Sequence, residues 1–540
     1  MSEVKERAVA PAETSRRMLL ALWVLSGLAL FSFLGHAPVQ RAQEARVMET
    51  ARELLGAPLG QWMIPKLNGE PRLRKPPLAY WLAAGSFKIM GVNNAAGRIP
   101  TVLAGWLMVG ITYAIGTRLF SHRAGLFAAG ALAGSYMFFR YTRLAETDAL
   151  AALGVTAAMW GLLRCCEEVR DRRMMLWAQL AAVGIAWAAM SKGPPAAYPV
   201  LFLIIVCALE RTAMPAWRFL RTGAVVTALV LALPWWLYVY FGPGSQQINE
   251  EVQLLTSGEF HGGPWVQYVP LILVATAPWT GFIVYSLIAA GLNWRGERKV
   301  RLLIAWIAGI FVPLCFLGNK QPHYLFPLMP PLMLLAGWAV DADLRRHADR
   351  CAKIVLWLVR GTAAVLVLAG IAVAGMGPLR KMPVTAADGV LGVAVVTAAM
   401  AVLLLSRSRR ALLALGATGV LSCVLMPALI GLWVPNHFER DPQGEALILR
   451  SNFRRGPYYF YGAQVSLPLV FAMRQEIPVL RSEAAAREKA GEANVVVLVI
   501  EKEGKDPAAP PPPFEKVLTA RTDRRSLTAY QVKRAAATQP

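Results

Sequence analysis

Between Gln43 and Trp81 the chain crowds the cations Arg46, Arg52, Lys66, Arg72, Arg74 and Lys75 into one loop, together with Pro65, Pro71, Pro76 and Pro77. The loop follows an apolar stretch at 18–35, and cations massed beside a bilayer are costly unless they meet something anionic. An arginine fork and a lysine point charge suit a phosphate. One carboxylate is a candidate to work with them: Asp148, which follows Thr147 at the start of another apolar run. A carboxylate can take a proton from an attacking hydroxyl or orient it. Each candidate also has a structural role open to it. Arg46 and Lys75 can snorkel to lipid headgroups, the role expected of Arg52 and Arg72, while Thr147 can cap a helix whose dipole Asp148 complements. The prolines after Lys75 remove donors and fix the backbone just before a helix, which would hold Lys75 still.

The elements that must position these residues are membrane spans. Of the 540 residues, 56% are hydrophobic, mean hydropathy is +0.44, and apolar runs near the roughly 20 residues needed to cross a bilayer recur along the chain. They fall at 18–35, 99–117, 124–139, 147–163, 174–190, 194–209, 220–242, 265–290, 302–318, 323–340, 354–375, 386–405 and 411–434. The expectation is a polytopic all-α membrane protein of about thirteen spans. The run at 323–340 is broken by Pro327, Pro330 and Pro331, which membrane helices tolerate when neighbours satisfy the freed carbonyls.

A formal charge of +23 raises the question of nucleic acid, and its distribution answers it. Arginine and lysine gather in alternate connections, such as Arg170 to Arg173, Arg295 to Arg301 and Arg345 to Lys353, whereas 243–264 has neither. By the positive-inside rule the basic connections and the tail 1–17 are cytoplasmic, so most of the excess charge encodes topology and no nucleic-acid partner is expected. Thirteen spans put the C-terminus outside. The first span reads as a retained signal anchor, since Gly35-His36-Ala37-Pro38 is a poor cleavage site. The six cysteines lie in spans or on the cytoplasmic side, so no structural disulfide is expected. No P-loop or dinucleotide fingerprint appears, which disfavours a nucleotide-driven pump.

After Val434 the composition changes, and 435–540 reads as a small α/β extramembrane domain. Asn494 to Ile500 has a buried-strand pattern, a helix is expected over Ser482 to Glu492, and an edge strand near Leu527 to Val532. The aromatic run Tyr458 to Tyr461 is expected in its core.

The frame Gln43-Glu44-Ala45-Arg46 followed by Arg74-Lys75-Pro76-Pro77-Leu78-Ala79-Tyr80-Trp81 resembles the first extracytoplasmic loop of polyprenyl-phosphate-sugar glycosyltransferases of the GT-C class, above all the aminoarabinose lipid A transferase and protein O-mannosyltransferase relatives. Those proteins typically read D-E-A-R and, further on, E-K-P-P-L-x-Y-W. Both mismatches, Gln43 and Arg74, fall on acidic positions. The resemblance extends to Thr147-Asp148-Ala149-Leu150, Ser191-Lys192-Gly193-Pro194 and Lys320 to Tyr324.

What the resemblance implies is a membrane domain at 18–434 with its first loop at 36–98, an extracytoplasmic domain at 435–540, and a multi-pass location in a bacterial inner membrane. The implied activity is transfer of a sugar from a polyprenyl phosphate to a lipid A-like or other cell-envelope acceptor, with inversion. Arg46, Lys75, Lys192, Lys320 and Tyr324 would face the donor phosphate, Tyr80 and Trp81 line the cleft or sit in the interfacial aromatic belt, and Glu44 and Asp148 act as carboxylates. No cofactor is required. His261 is a weak candidate ligand for a divalent metal. Where relatives have an aspartate, Gln43 cannot take a proton, which leaves four readings open: Glu44 replaces it, Asp148 does the work, the acceptor is already ionised, or the chain is inactive. A transporter or flippase of lipid-linked sugars is the rival from another class. It would favour pseudo-symmetric halves with broken helices, which the sequence does not display.

Overall fold

The computed structural model describes residues 12–168, 170–257, 263–346, 348–379, 386–407, 411–433, 441–453, 456–462, 464–492, 494–502, 509–522 and 525–532. They divide into two compact units. One comprises Met1–Leu34, Leu73–Ala79 and Arg98–Trp433, the other Gly35–Arg72, Tyr80–Gly97 and Val434–Pro540. The first loop is therefore shared between units, with the Leu73–Ala79 segment that carries Lys75 assigned to the first.

The first unit is helical. Seven helices among the described residues are long and apolar enough to cross a membrane, or eight if Met214–Leu220 and Ala224–Tyr240, bent by 66°, form one span. The protein is thus a polytopic α-helical membrane protein. The proline-broken run begins as a 3-10 turn, Pro322–Leu328, and continues as the helix Met329–Arg346. Pro330 and Pro331 fall in the first turn of that helix, where an N–H is least needed, and Pro327 lies within the 3-10 turn. The run expected as a single span at 265–290 is instead two helices, Tyr268–Ala275 and Thr280–Asn293.

Helices Thr147–Glu167 and Asp171–Ser191 fold back on each other through a seam of small residues. A Cβ at Gly154 would stand 2.6 Å from the Gly184 carbonyl, and one at Gly161 would stand 2.6 Å from the Ala181 nitrogen. Small residues let two membrane helices approach backbone to backbone, and Trp187 Nε1 adds a 3.0 Å bond to the Leu150 carbonyl. An antiparallel hairpin this close brings the start of one helix to the end of the other. The Asp148 end therefore meets the Lys192 end.

The second unit contains a hairpin and a mixed sheet. The hairpin pairs β1 (Lys66–Leu67) with β2 (Glu70–Pro71) through Asn68 and Gly69, both at positive φ, 54° and 82°, as the two central residues of such a turn require. Asn68 is fixed on both sides. Its amide donates to the Ile477 carbonyl at 2.8 Å and accepts from the Ile477 N–H at 2.7 Å, while Glu53 accepts from the N–H groups of Asn68 and Gly69.

The sheet comprises β3 (Tyr458–Tyr461), β4 (Val479–Leu480), β5 (Val496–Lys502), β6 (Phe514–Thr522) and β7 (Arg525–Val532), in the order β4-β3-β5-β7-β6. Strands β4, β3 and β5 are parallel, whereas β7 is antiparallel to both β5 and β6. Tyr458 and Phe460 point into the core, as expected of the aromatic run. Helix Glu483–Lys489 begins at the cap Ser482. One strand assignment needs correction: 527–532 belongs to an interior strand, and β6 is the edge. The mixed polar pattern of β6 hides its pairing with β7.

Candidate active site

Lys75 sits in a turn that the two following prolines close before the helix Leu78–Met90. Helix Ser245–Ser257 grips this segment through residues spaced i, i+3 and i+4. Gln247 Oε1 accepts the Leu73 N–H at 2.9 Å, Glu250 accepts from Arg74, and Glu251 accepts from the Lys75 ammonium. Residues at that spacing share one helix face. Burial pushes the Lys75 ammonium below its ordinary pKa and Lys192 adds repulsion, while Glu251 and Asp148 pull the other way.

Lys192 ends Asp171–Ser191, and the following Gly193, at φ 88°, turns the chain against the Trp236 ring, 3.0 Å from where a Cβ would stand. Its ammonium donates to Asp148 Oδ1 at 2.5 Å, and the two side chains are only 12% and 6% exposed. It also lies 4.6 Å from the centre of the Tyr324 ring, a cation–π distance. His323 stands edge-on to Tyr324 at 4.8 Å, and with Lys192 and Lys75 it is one of the groups acting electrostatically on Asp148.

Five of the residues singled out from sequence lie in this first unit: Lys75, Asp148, Lys192, Lys320 and Tyr324. Four of them belong to one electrostatic cluster. Lys320 is buried and donates to the Leu317 carbonyl at 2.6 Å. Thr147 is the first helical residue; the cap position is Glu146, with no side-chain cap bond.

Gln43, Glu44 and Arg46 lie on helix Ala42–Leu55 of the second unit. Glu44 is buried, whereas Gln43 and Arg46 are half-buried. Tyr80 is buried and accepts from Arg72 Nε at 3.2 Å, and Trp81 donates to the Trp62 carbonyl at 2.9 Å. Arg52 is held by both oxygens of Glu49, so Arg52 and Arg72, read as headgroup contacts, both bond within the protein. His261 lies outside the described residues. Among the described residues no group of three or more histidine, cysteine, aspartate or glutamate side chains could hold a metal ion.

Sequence reasoning missed Gln247, Glu250 and Glu251 by taking 243–264 as a loop. The signal was there, because Gln246, Gln247, Glu250 and Glu251 repeat at helical spacing.

Chemically, the cluster brings together ammonium groups, carboxylates and a tyrosine. Such a site can hold an anionic leaving group while a carboxylate orients the attacking group.

Residues 74–238, which include Lys75, Asp148 and Lys192, match the dolichyl-phosphate-mannose-protein mannosyltransferase family. An undecaprenyl phosphate-alpha-4-amino-4-deoxy-L-arabinose arabinosyl transferase of Proteus mirabilis is 28% identical over 55% of this chain and 55% of its own length. One from Pseudomonas fluorescens is 29% identical over 58% and 55%. The chain thus spans about half the length of the curated relatives it matches. Among solved structures, ArnT from Cupriavidus metallidurans bound to undecaprenyl phosphate superposes with a TM-score of 0.75 at 21% identity, covering 96% of this chain and 98% of that one. The chain is thus similar to protein mannosyltransferases over 74–238 and to aminoarabinose transferases over about half its length, and it has the fold of ArnT.

Proposed function

We propose that the chain is a membrane glycosyltransferase that moves a sugar from a polyprenyl phosphate, of the undecaprenyl class, to a lipid A-like or other cell-envelope acceptor, with inversion. The observation that carries this reading is the cluster of Lys75, Lys192, Asp148 and Tyr324, which sets two ammonium groups where a lipid-borne phosphate can leave. The bond that breaks joins the sugar to the phosphate oxygen, and the pair of electrons goes to the phosphate. Lys75 and Lys192 stabilise the charge that develops there, an interaction stronger in the transition state than before it. Lys320 and Tyr324, of the same unit, complete the donor-facing set. The bond that forms comes from an acceptor oxygen, which Glu44 or Asp148 orients, and an acceptor already ionised needs no base at the position of Gln43. This reading requires no metal.

The same reading sets thirteen spans, a cytoplasmic N-terminus, and the first loop and 435–540 on the outer face of an inner membrane. Charge alternation between loops supports that orientation.

Mass spectrometry of envelope lipids from cells with and without the protein tests the proposal. One lipid class should carry an added sugar only when the protein is present, and loss of the protein should leave its unmodified form. Identical lipids in both cells, together with no consumption of a polyprenyl-phosphate sugar by the purified protein, would overturn it.

A further inference from the structure

The second unit holds a recess of about 530 Å³ that the candidate active site does not use. Its charged walls are Arg450, from helix Pro442–Asn452, and Arg474, which follows helix Leu467–Met473. Arg450 donates through Nη2 to the Met473 carbonyl at 2.6 Å, and Arg474 donates through Nη2 to the Val92 carbonyl at 3.1 Å. Among the described residues neither meets a carboxylate. A guanidinium has five N–H donors, so each is aimed by one bond and keeps most of its donors. Two like charges facing one recess repel, and an anion between them removes that cost.

The remaining walls define which anion. Asn94 and Gln443 are carboxamides, whereas Leu447, 69% exposed, and Phe471 are apolar. Phe471 is stacked on Phe87 at 6.4 Å, which stiffens that wall. Asn94 is also the first residue of a helix long and apolar enough to cross a membrane, Asn94–Leu119, which sets this wall of the recess at the end of a candidate span. A free anion has no use for an exposed leucine, whereas a lipid brings a phosphate for the arginines and a glycerol and upper acyl chain for the apolar wall.

We infer that this recess is a docking site for a membrane lipid through its headgroup phosphate. Such docking needs only the membrane location, and it stands whether or not the donor reading of Lys75 holds.

Native mass spectrometry of the full-length protein, released from nanodiscs containing phosphatidic acid in a neutral lipid, tests it. All proteins carry Lys75→Ala, so the candidate donor site does not contribute. The parent should retain one phosphatidic acid molecule. Arg450→Ala/Arg474→Ala should lower the retained fraction about tenfold, as loss of charge-assisted phosphate bonds does. Leu447→Glu alters only an exposed side chain and should do the same by placing a like charge beside the phosphate, which keeps the test decisive if the double variant fails to fold. Retention equal to the parent's in either folded variant overturns the site. Displacement of the lipid by an equal concentration of inorganic phosphate overturns its assignment to a lipid.

Discussion

Two cationic places in this molecule handle their charge in opposite ways. In the first unit the ammonium groups of Lys75 and Lys192 are each answered by a carboxylate, Lys75 by Glu251 and Lys192 by Asp148. In the second unit Arg450 and Arg474 meet only backbone carbonyls among the described residues. A cation that must exchange ligands during a reaction needs a resident partner for the intervals between them, since an unpaired buried charge is costly. Arg450 and Arg474 are exposed, so water solvates them until a lipid phosphate takes its place. On the proposed reading Glu251 would hold the place of the donor phosphate, carried on a helix that grips the Lys75 turn at three points.

The largest expected effect breaks the first place outright. Lys75→Ala should lower turnover by about 10² or more, as loss of transition-state charge stabilisation does, in a protein that stays folded; steady-state kinetics on the purified enzyme measures it. Arg52→Ala should cost far less, since Arg52 is bonded to Glu49. Equal losses in the two variants would erase the distinction between a functional cation and a structural one.

The Asp148–Lys192 pair sharpens the comparison, because it is both buried and placed for chemistry. Asp148→Asn alone leaves a buried ammonium unpaired and should destabilise by about 3–5 kcal/mol. Asp148→Asn/Lys192→Met should recover most of that stability in a thermal melt while turnover stays low. Recovery of turnover as well would assign the pair to folding alone.

Much of this site can be read from the residues themselves. Lys75 announces itself because Pro76 and Pro77 fix it before a helix, and Asp148 and Lys192 stand out at the ends of apolar runs. Their partnership does not, because the two are 44 residues apart and meet only through the close approach at Gly154, Gly161 and Gly184. Glu251 was hidden by a segment whose glycines at 258, 262 and 263 suggest a loop although its first half repeats at helical spacing. In the second unit β5 is visible as an apolar run, whereas β6 is polar enough to pass for a loop and so concealed that β7 is interior.

A smaller effect concerns Glu53, whose carboxyl burial pushes up to about 7 against the pull of the Asn68 and Gly69 N–H groups. A carboxyl raised in the folded state contributes stability that is complete below its unfolded value and is lost as pH rises through its folded one. The melting temperature should therefore fall between about pH 4.5 and pH 7 by an increment that Glu53→Gln lacks. Identical pH profiles for the two proteins would count against a buried, protonated Glu53.

The most direct test is equilibrium binding of undecaprenyl phosphate to the wild type, Lys75→Ala and Glu251→Gln at one pH and salt concentration. If Glu251 holds the place of the donor phosphate, Glu251→Gln should tighten binding by up to about fivefold, the range of a partly exposed ion pair, and Lys75→Ala should weaken it at least tenfold. Binding by Lys75→Ala equal to the wild type would contradict the donor site, and weaker binding by Glu251→Gln would contradict the placeholder while leaving that site in place.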